Sequence, residues 1–269
     1  MIEVLKQQLT ASMSAYEKLN RTREFLQVMA LKNLADQNAF DHIAFVGGTA
    51  LRILYDIRRF SEDLDFSLVA AKDYDFGKLN AGLVRYFGLN NLEAESRIKA
   101  EKTVHGTFLK FPGLLKELGL GALEAQKLSI KLEVDASPPE GWKLADTTLN
   151  RTYIFRVRHF DLPSMMATKL HACFFRKYTK GRDFYDLLWY LTRKVSPNIV
   201  LLNNAIRQTE KKDPGLTRDA LRDFILERLE KVDFDAAIKD VRRFIADESE
   251  LKAINKASLQ SLVSGAGWL

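Results

Sequence analysis

The chain has 269 residues, 46% of them hydrophobic, which is enough to form one large domain or two smaller ones. Its formal net charge of +6 and its pI near 9.2 suit an anionic partner such as a nucleotide or RNA. A single cysteine, Cys173, excludes an intrachain disulfide and a multi-cysteine zinc site. The sequence has neither an apolar run of roughly 20 residues nor a signal-peptide core, so we expect a cytoplasmic protein without a membrane partner.

The spacing of apolar residues predicts a mixture of helices and strands up to about residue 158. Helices are expected at residues 1–38, 49–57 and 76–87. Strands are expected at residues 43–46, 61–69, 106–111, 127–137 and 152–158. The Gly-interrupted segment 114–126 is expected to be an insertion, or a short helix with a loop.

After residue 158 the apolar pattern is purely helical. Helices are expected at residues 163–178, 182–194, 198–210, 217–231 and 233–246. Gly181 is expected to end the first of them, because glycine is common just past the last turn of a helix. These patterns predict a mixed domain at 1–158, which includes the N-terminal helices, and a helical domain at 159–269.

The segment FSEDLDFSL at residues 60–68 raises the question of why a strand would carry several carboxylates. Asp63 and Asp65 are two residues apart, so their side chains share one strand face, where like charges repel each other. A sheet face turned to water would explain the pair. A divalent cation held between the two carboxylates would explain it equally well.

A strand that ends in Gly47-Gly48, a helix, and then an Asp-x-Asp strand is the arrangement of a polymerase-β-type nucleotidyltransferase. Glycines let the backbone approach a triphosphate closely, and the N–H groups of the first helical turn favour its charge. The carboxylates would hold one or two Mg²⁺ ions, which prefer oxygen ligands and bridge to substrate phosphates.

A third carboxylate is expected from the strand KLEVDAS at 131–137. Lys131, Glu133 and Asp135 share one face of this strand, which repeats the polar face of the acidic strand. Glu133 is favoured over Asp135 because Asp135 stands next to the strand end. A face exposed to water remains the alternative explanation.

The helical half contains a dense group of charges. Lys169 and Arg176 are seven residues apart, within about 20° of each other on one helix. Asp183 and Asp186 are i, i+3 neighbours on the next helix. Either these charges form a salt-bridged helix pair, or the two basic residues point at a polyphosphate.

The chain resembles the AbiEii/AbiGii nucleotidyltransferase family in four motifs: FVGGTALR (45–52), RRFSEDLDFSL (58–68), IKLEVDAS (130–137) and KLHACFFRKYTKGRDFYDLLWY (169–190). Members of this family are the toxins of bacterial type IV abortive-infection systems, and the mycobacterial MenT toxins are relatives. The resemblance extends over roughly residues 20–250. It implies an α+β fold, in which a polymerase-β-type mixed sheet with flanking helices is followed by an all-helical C-terminal domain.

The resemblance also implies a function and a set of residues that carry it out. The implied reaction transfers a nucleoside monophosphate from an NTP to tRNA acceptor ends, which blocks aminoacylation and translation. The implied catalytic residues are Asp63, Asp65, Lys169 and Asp183. Together with the patterns above, the expected nucleotide-binding residues are Gly47, Gly48, Thr49, Ser61 and Arg176, of which the family motif includes Ser61. The expected Mg²⁺ ligands are the two motif aspartates, Asp63 and Asp65, and Glu133 of the neighbouring strand.

The expected partners are an NTP, tRNA and a cognate antitoxin that forms no stable complex with the toxin. Two other functions stay open at this point. The acceptor could be a protein hydroxyl or a small molecule instead of tRNA. The chain could also be a catalytically silent module that binds RNA or a protein partner.

Overall fold

The computed structural model describes residues 1–120 and 127–267. These residues divide into two compact units, each built from several stretches of chain. The first unit comprises Met1–Asp56, Phe60–Pro138 and Asp146–His159. The second comprises Ile57–Arg59, Pro139–Ala145 and the described residues from Phe160 onward. No helix in the described part of the chain is both long and apolar enough to cross a membrane.

Helices and strands are mixed in the chain up to Phe160. Its helices are α1 (Ile2–Gln8), α2 (Ala15–Asp36), α3 (Gly47–Tyr55), α4 (Phe76–Leu89) and the short α5 (Leu114–Glu117). Its strands are β1 (Ile43–Val46), β2 (Asp63–Leu68), β3 (Glu95–Ala100), β4 (Val104–Phe111), β5 (Leu128–Asp135), β6 (Leu144–Asn150) and β7 (Ile154–Phe160). The predicted short helix in 114–126 is therefore present as α5, and residues 121–126 of that prediction lie outside the described residues.

The described strands form one mixed sheet in the order β3-β4-β5-β2-β1-β7-β6. β2 lies near the middle, antiparallel to β1 and parallel to β5. β1 also pairs in parallel with β7, and β4 pairs antiparallel with both β3 and β5. Every strand expected from the sequence is present, and the predicted fold class is confirmed.

The apolar pattern of the sequence does not predict two of the strands, β3 and β6. They stand at the two ends of the strand order. β3 reads ESRIKA and β6 reads LADTTLN, so neither shows the alternation of apolar residues that a half-buried strand requires. Edge strands need little burial, and charged side chains on an edge hinder pairing with other chains.

One face of the sheet forms the core of the first unit. Leu64 and Phe66 of β2 are buried on this face together with Leu132 and Val134 of β5. Apolar residues of α2 and α4 pack against it, among them Leu34, Phe76, Leu79 and Leu83. Because side chains alternate along a strand, the intervening residues of β2 and β5 lie on the opposite face. That opposite face carries the acidic residues singled out in the sequence.

The second unit is helical. Its helices are α6 (Leu162–Phe175), α7 (Gly181–Thr192), α8 (Ile199–Glu210), α9 (Arg218–Leu229), α10 (Phe234–Val241) and α11 (Lys256–Ser264), with short 3₁₀ segments at Arg242–Phe244 and Glu248–Ala253. Asp161, Asn198, Thr217 and Asp233 cap the starts of α6, α8, α9 and α10, where each side chain accepts a hydrogen bond from a backbone N–H three residues on.

The predicted role of Gly181 as the end of α6 is wrong. α6 ends at Phe175, and Gly181 is the first residue of α7. A Cβ atom at Gly181 would overlap the carbonyl oxygen of Ala237 in α10, so only glycine allows the two backbones to approach this closely. The Gly181 N–H also donates a hydrogen bond of 2.9 Å to Asp240 Oδ2. Glycine is needed here for helix packing.

Candidate active site

The acidic pair of β2 lies beside the start of α3. Asp63 and Asp65 share one face of β2, and Asp65 pairs with Val46, the last residue of β1. The next residue, Gly47, has a φ of +79°, and a Cβ atom there would lie 2.6 Å from Asp65 Oδ2. Both the backbone conformation and the lack of space require glycine at this position. The first turn of α3 therefore begins directly against the Asp65 carboxylate.

Two further contacts fix this part of the first unit. The hydroxyl of Thr49, which is buried in the first turn of α3, donates a hydrogen bond to the main-chain oxygen of Asp63. Gln27, buried in α2, donates a hydrogen bond of 3.2 Å to the main-chain oxygen of Ser61. The structure thus places Gly47 and Thr49 of α3 beside the two aspartates of β2, and Ser61 lies two residues before β2.

The register of β2 and β5 places the candidate third carboxylates. Asp65 pairs with Glu133, whereas Asp135 pairs with Ser67, further from the acidic pair. Glu133 therefore lies beside Asp65, on the same face. Its Oε2 atom lies 2.6 Å from Lys131 Nζ. Burial raises the pKa of Asp135, against the opposing effect of its hydrogen bond from the Ser137 N–H.

Among residues 1–120 and 127–267, no group of three or more His, Cys, Asp and Glu side chains is arranged to hold a metal ion. The acidic pair still fits Mg²⁺ by its chemistry. Mg²⁺ keeps several waters and usually takes one or two protein carboxylates together with substrate phosphates. Asp63 and Asp65 supply two such carboxylates on one strand face, with a helix start beside them that suits a phosphate.

The second group of candidate residues lies in the helical unit and forms a chain of alternating charges. Arg59 pairs with Asp186, Asp186 with Lys169, Lys169 with Asp183, and Asp183 with Arg176. The N–O distances lie between 2.6 and 2.9 Å. We call these five residues the charge network. Lys169 is 11% exposed, and Arg176, at 34%, is the most accessible of the five.

For two residues of the charge network, Lys169 and Asp183, ion pairing moves the pKa further than burial does. Burial would lower the pKa of Lys169, but Asp183 and Asp186 raise it above its ordinary value. Burial would likewise raise the pKa of Asp183, but Lys169 and Arg176 hold it below its usual range. Both groups therefore stay ionised at neutral pH.

The structure corrects one geometric expectation and adds one residue. Arg176 does not continue the helix of Lys169, because α6 ends at Phe175 and Arg176 has an extended backbone with ψ near 143°. It nevertheless reaches Asp183. The sequence does not indicate a role for Arg59, because its partner Asp186 lies 127 residues further along the chain and no local pattern joins them.

The family model for the nucleotidyl transferase AbiEii toxin of type IV toxin–antitoxin systems matches residues 30–258, which is most of the chain. The chain belongs to the AbiEii family. The resemblance seen in the four sequence motifs is thereby confirmed, and the chain is a member of a nucleotidyltransferase toxin family. No curated protein matches the sequence.

Two solved structures share the fold of this chain. JHP933 from Helicobacter pylori is 20% identical, with 91% of this chain and 90% of that one covered, at a TM-score of 0.55. Another H. pylori protein, described only as a candidate nucleotidyltransferase, is 22% identical, with coverages of 90% and 92% and a TM-score of 0.52. At these identities the likeness establishes the fold alone.

Proposed function

We propose that this AbiEii-family protein is a Mg²⁺-dependent toxin that transfers a nucleoside monophosphate from an NTP to the 3′ acceptor end of tRNA in the cytoplasm. Blocked acceptor ends cannot be aminoacylated, so translation stops. The observation that carries the proposal is the position of Asp65 against Gly47, where a carboxylate and a helix start meet with no side chain between them. A cognate antitoxin that forms no stable complex would control the activity.

The first unit would bind the nucleotide and the metal. Asp63 and Asp65 would hold Mg²⁺, and Glu133 would join them when it leaves Lys131. Gly47, Gly48 and Thr49 offer backbone N–H groups to the triphosphate, with Ser61 beside them. When bound, Mg²⁺ would supply positive charge that activates the attacking oxygen and stabilises the leaving pyrophosphate.

The charge network would neutralise phosphate charge. An ammonium group has three N–H donors, and Asp183 and Asp186 take two of those of Lys169. The third can be donated to a phosphate oxygen, with Arg176 as a second cation. Asp183 would orient both. The acceptor hydroxyl loses its proton to water, its oxygen bonds to the α-phosphorus, and the bond from that phosphorus to pyrophosphate breaks.

A label-transfer assay tests this function. Pure protein is incubated with each radiolabelled NTP, Mg²⁺ and total tRNA, and the RNA 3′ ends are then sequenced. We expect label in tRNA with wild type and with Asp223→Asn, an exposed control, but none with Asp63→Ala. If only protein or a small molecule were labelled, that molecule and not tRNA would be the acceptor. If wild type and Asp63→Ala both leave every acceptor unlabelled, the enzymatic function is refuted and a silent binding module is favoured.

Growth provides the test of toxin function. Induction of the wild-type chain in bacteria should arrest growth, and Asp63→Ala should abolish the arrest at equal protein level. Normal growth with abundant wild-type protein, in a host without an antitoxin, would contradict a toxin role.

A further inference from the structure

The sheet face that carries the acidic pair continues across three more strands. Asp63 pairs with Lys131 of β5, Lys131 pairs with Phe108 of β4, and Phe108 pairs with Arg97 of β3. Side chains of paired residues on neighbouring strands lie on the same face. The four side chains therefore form one row across the sheet, which begins at the acidic pair.

A second row runs beside the first. Asp65 pairs with Glu133, Glu133 with Gly106, and Gly106 with Lys99. Gly106 places no side chain on the face, which leaves the ring of Phe108 accessible from that side. Lys110, two residues after Phe108, is exposed on the same face. Strands are about 4.8 Å apart, so Phe108 lies about 10 Å from Asp63.

Phe108 differs from the other apolar residues of β4. Its neighbours Leu109 and Phe111 are buried in the core face, whereas Phe108 is 41% exposed. The ammonium nitrogen of Lys131 lies 5.9 Å from its ring centroid. A single exposed aromatic residue is common on protein surfaces. Here, however, it shares the face that carries the candidate metal ligands with four cationic side chains, Arg97, Lys99, Lys110 and Lys131. Two of them form ion pairs, Lys99 with Glu101 and Lys131 with Glu133.

Proteins that bind unpaired nucleotides combine exposed aromatic rings with basic side chains, as this face does. Bases stack on exposed aromatic side chains, while lysine and arginine follow the phosphates. A protein partner fits less well, because the centres of protein interfaces are apolar and poor in charge. In these two rows Phe108 is the one large apolar side chain among the described residues.

We propose that the sheet platform, formed by Phe108, Arg97, Lys99, Lys110 and Lys131, binds a single-stranded segment of nucleic acid. One base stacks on Phe108, and the basic residues contact neighbouring phosphates. Because the rows run from Phe108 to the acidic pair, the end of the bound nucleic acid would point toward Asp63, which lies about 10 Å from Phe108. This inference rests on the proposed function in one respect, that the bound strand carries the acceptor hydroxyl.

Binding of fluorescently labelled oligonucleotides, measured by anisotropy without NTP, tests the platform. Wild type should bind a 12-nucleotide single-stranded RNA, and Phe108→Ala should bind it roughly 5- to 150-fold more weakly, the loss of one base stack. Ile154→Ala, which removes a 69% exposed side chain from β7, is the matched control and should bind as wild type does. Equal affinity of Phe108→Ala and Ile154→Ala would overturn the proposal.

The salt dependence of binding gives a second, independent measurement. Arg97→Gln with Lys99→Gln should lower the slope of log affinity against log salt by about 1.4, or 0.7 for each lost phosphate contact. Lys78→Gln, at an exposed position of α4, should leave the slope unchanged. Single-stranded DNA and blunt RNA duplex complete the set: tighter binding of duplex than of either single strand would overturn the proposal.

The result is distinguishable from failure of the proposed function. If wild type transfers no nucleotide to any acceptor while RNA binding still depends on Phe108, the platform stands and the enzymatic function fails. If wild type labels RNA and Phe108→Ala does so with unchanged KM, the enzyme stands and the platform fails. Thermal melting confirms that each variant is folded.

Discussion

Arg59 and Asp186 form a bidentate ion pair that is almost wholly buried. The Nε–Oδ1 and Nη2–Oδ2 distances are both 2.6 Å, and the side chains are 2% and 0% exposed. The planar guanidinium matches the two carboxylate oxygens, which lysine could not do. Asp186 also binds Lys169, so Arg59 helps to hold the partner of the candidate catalytic lysine.

Removal of Arg59 should destabilise the protein strongly. Arg59→Met leaves the Asp186 carboxylate buried with Lys169 as its remaining ion-pair partner, and breaking a buried pair costs about 3–5 kcal/mol. Urea unfolding measures the loss. The control Arg156→Met breaks an exposed pair with Asp146 and should have a much smaller effect. Similar midpoints for the two variants would show that the buried pair contributes nothing.

The charge network should give stability a defined pH dependence. The folded pKa of Asp183 lies below the unfolded value near 4, so its contribution is present above that pH and is lost as the pH falls through the folded pKa. The pKa of Lys169 is raised, so its contribution is present below about pH 10 and is lost as the pH rises through the folded pKa.

The difference in unfolding free energy between wild type and Asp183→Asn should therefore be constant from about pH 5 to 8 and should shrink below about pH 4. Asp223→Asn, at an exposed position of α9, should show no such trend. Denaturant unfolding at each pH measures both. If the difference in unfolding free energy between wild type and Asp183→Asn grew as the pH falls, the stabilising role of the Asp183 carboxylate would be contradicted.

Gly47→Ala should impair both stability and activity. Alanine is strained at a φ of +79°, and its Cβ would meet Asp65 Oδ2 at 2.6 Å. The strain costs about 1–3 kcal/mol, and displacement of the carboxylate should abolish nucleotide transfer. Gly88→Ala is the control, because no atom lies within 4 Å of the added Cβ. Full activity of Gly47→Ala would show that the position of Asp65 is unimportant.

The identity of the third carboxylate can be tested through Mg²⁺. Glu133→Gln should raise the Mg²⁺ concentration that gives half-maximal transfer, because an oxygen ligand of full charge is lost. Asp135→Asn, two residues further along β5 on the same face, should leave this concentration near the wild-type value. Titration of the transfer rate with Mg²⁺ measures both. If Asp135→Asn raised the half-maximal Mg²⁺ concentration and Glu133→Gln did not, Asp135 would be the third ligand.

Gly181→Ala tests the packing of α7 against α10. The added methyl would overlap the carbonyl oxygen of Ala237, and overpacking of this kind costs about 1–3 kcal/mol or more. Gly265→Ala is the control, since its Cβ would lie 3.4 Å from the closest atom, an ordinary contact. Thermal unfolding compares the two. Equal melting temperatures would show that the helices can move apart freely.

The sequence was sufficient where periodicity and local spacing carry the information. The alternation of Leu64 and Phe66 with the two aspartates predicted β2 and its two faces. Apolar periodicity does not predict β3, whose only large apolar residue is Ile98. An edge strand is held by backbone pairing more than by burial.

Long-range contacts were likewise beyond the sequence. Arg59 and Asp186 are paired by the fold, and neither carries a local signal of the other. Gly181 shows the same limit, because a glycine after a helix and a glycine under a crossing helix look identical in a sequence.

Arg59 belongs to the helical unit, although it comes from the short segment 57–59. The ribosome makes this segment more than a hundred residues before Asp186. A fragment that starts after residue 159 would enclose a carboxylate without its guanidinium. Such a truncation should therefore yield an unstable product, and attempts to divide the chain into two halves should retain this short upstream peptide.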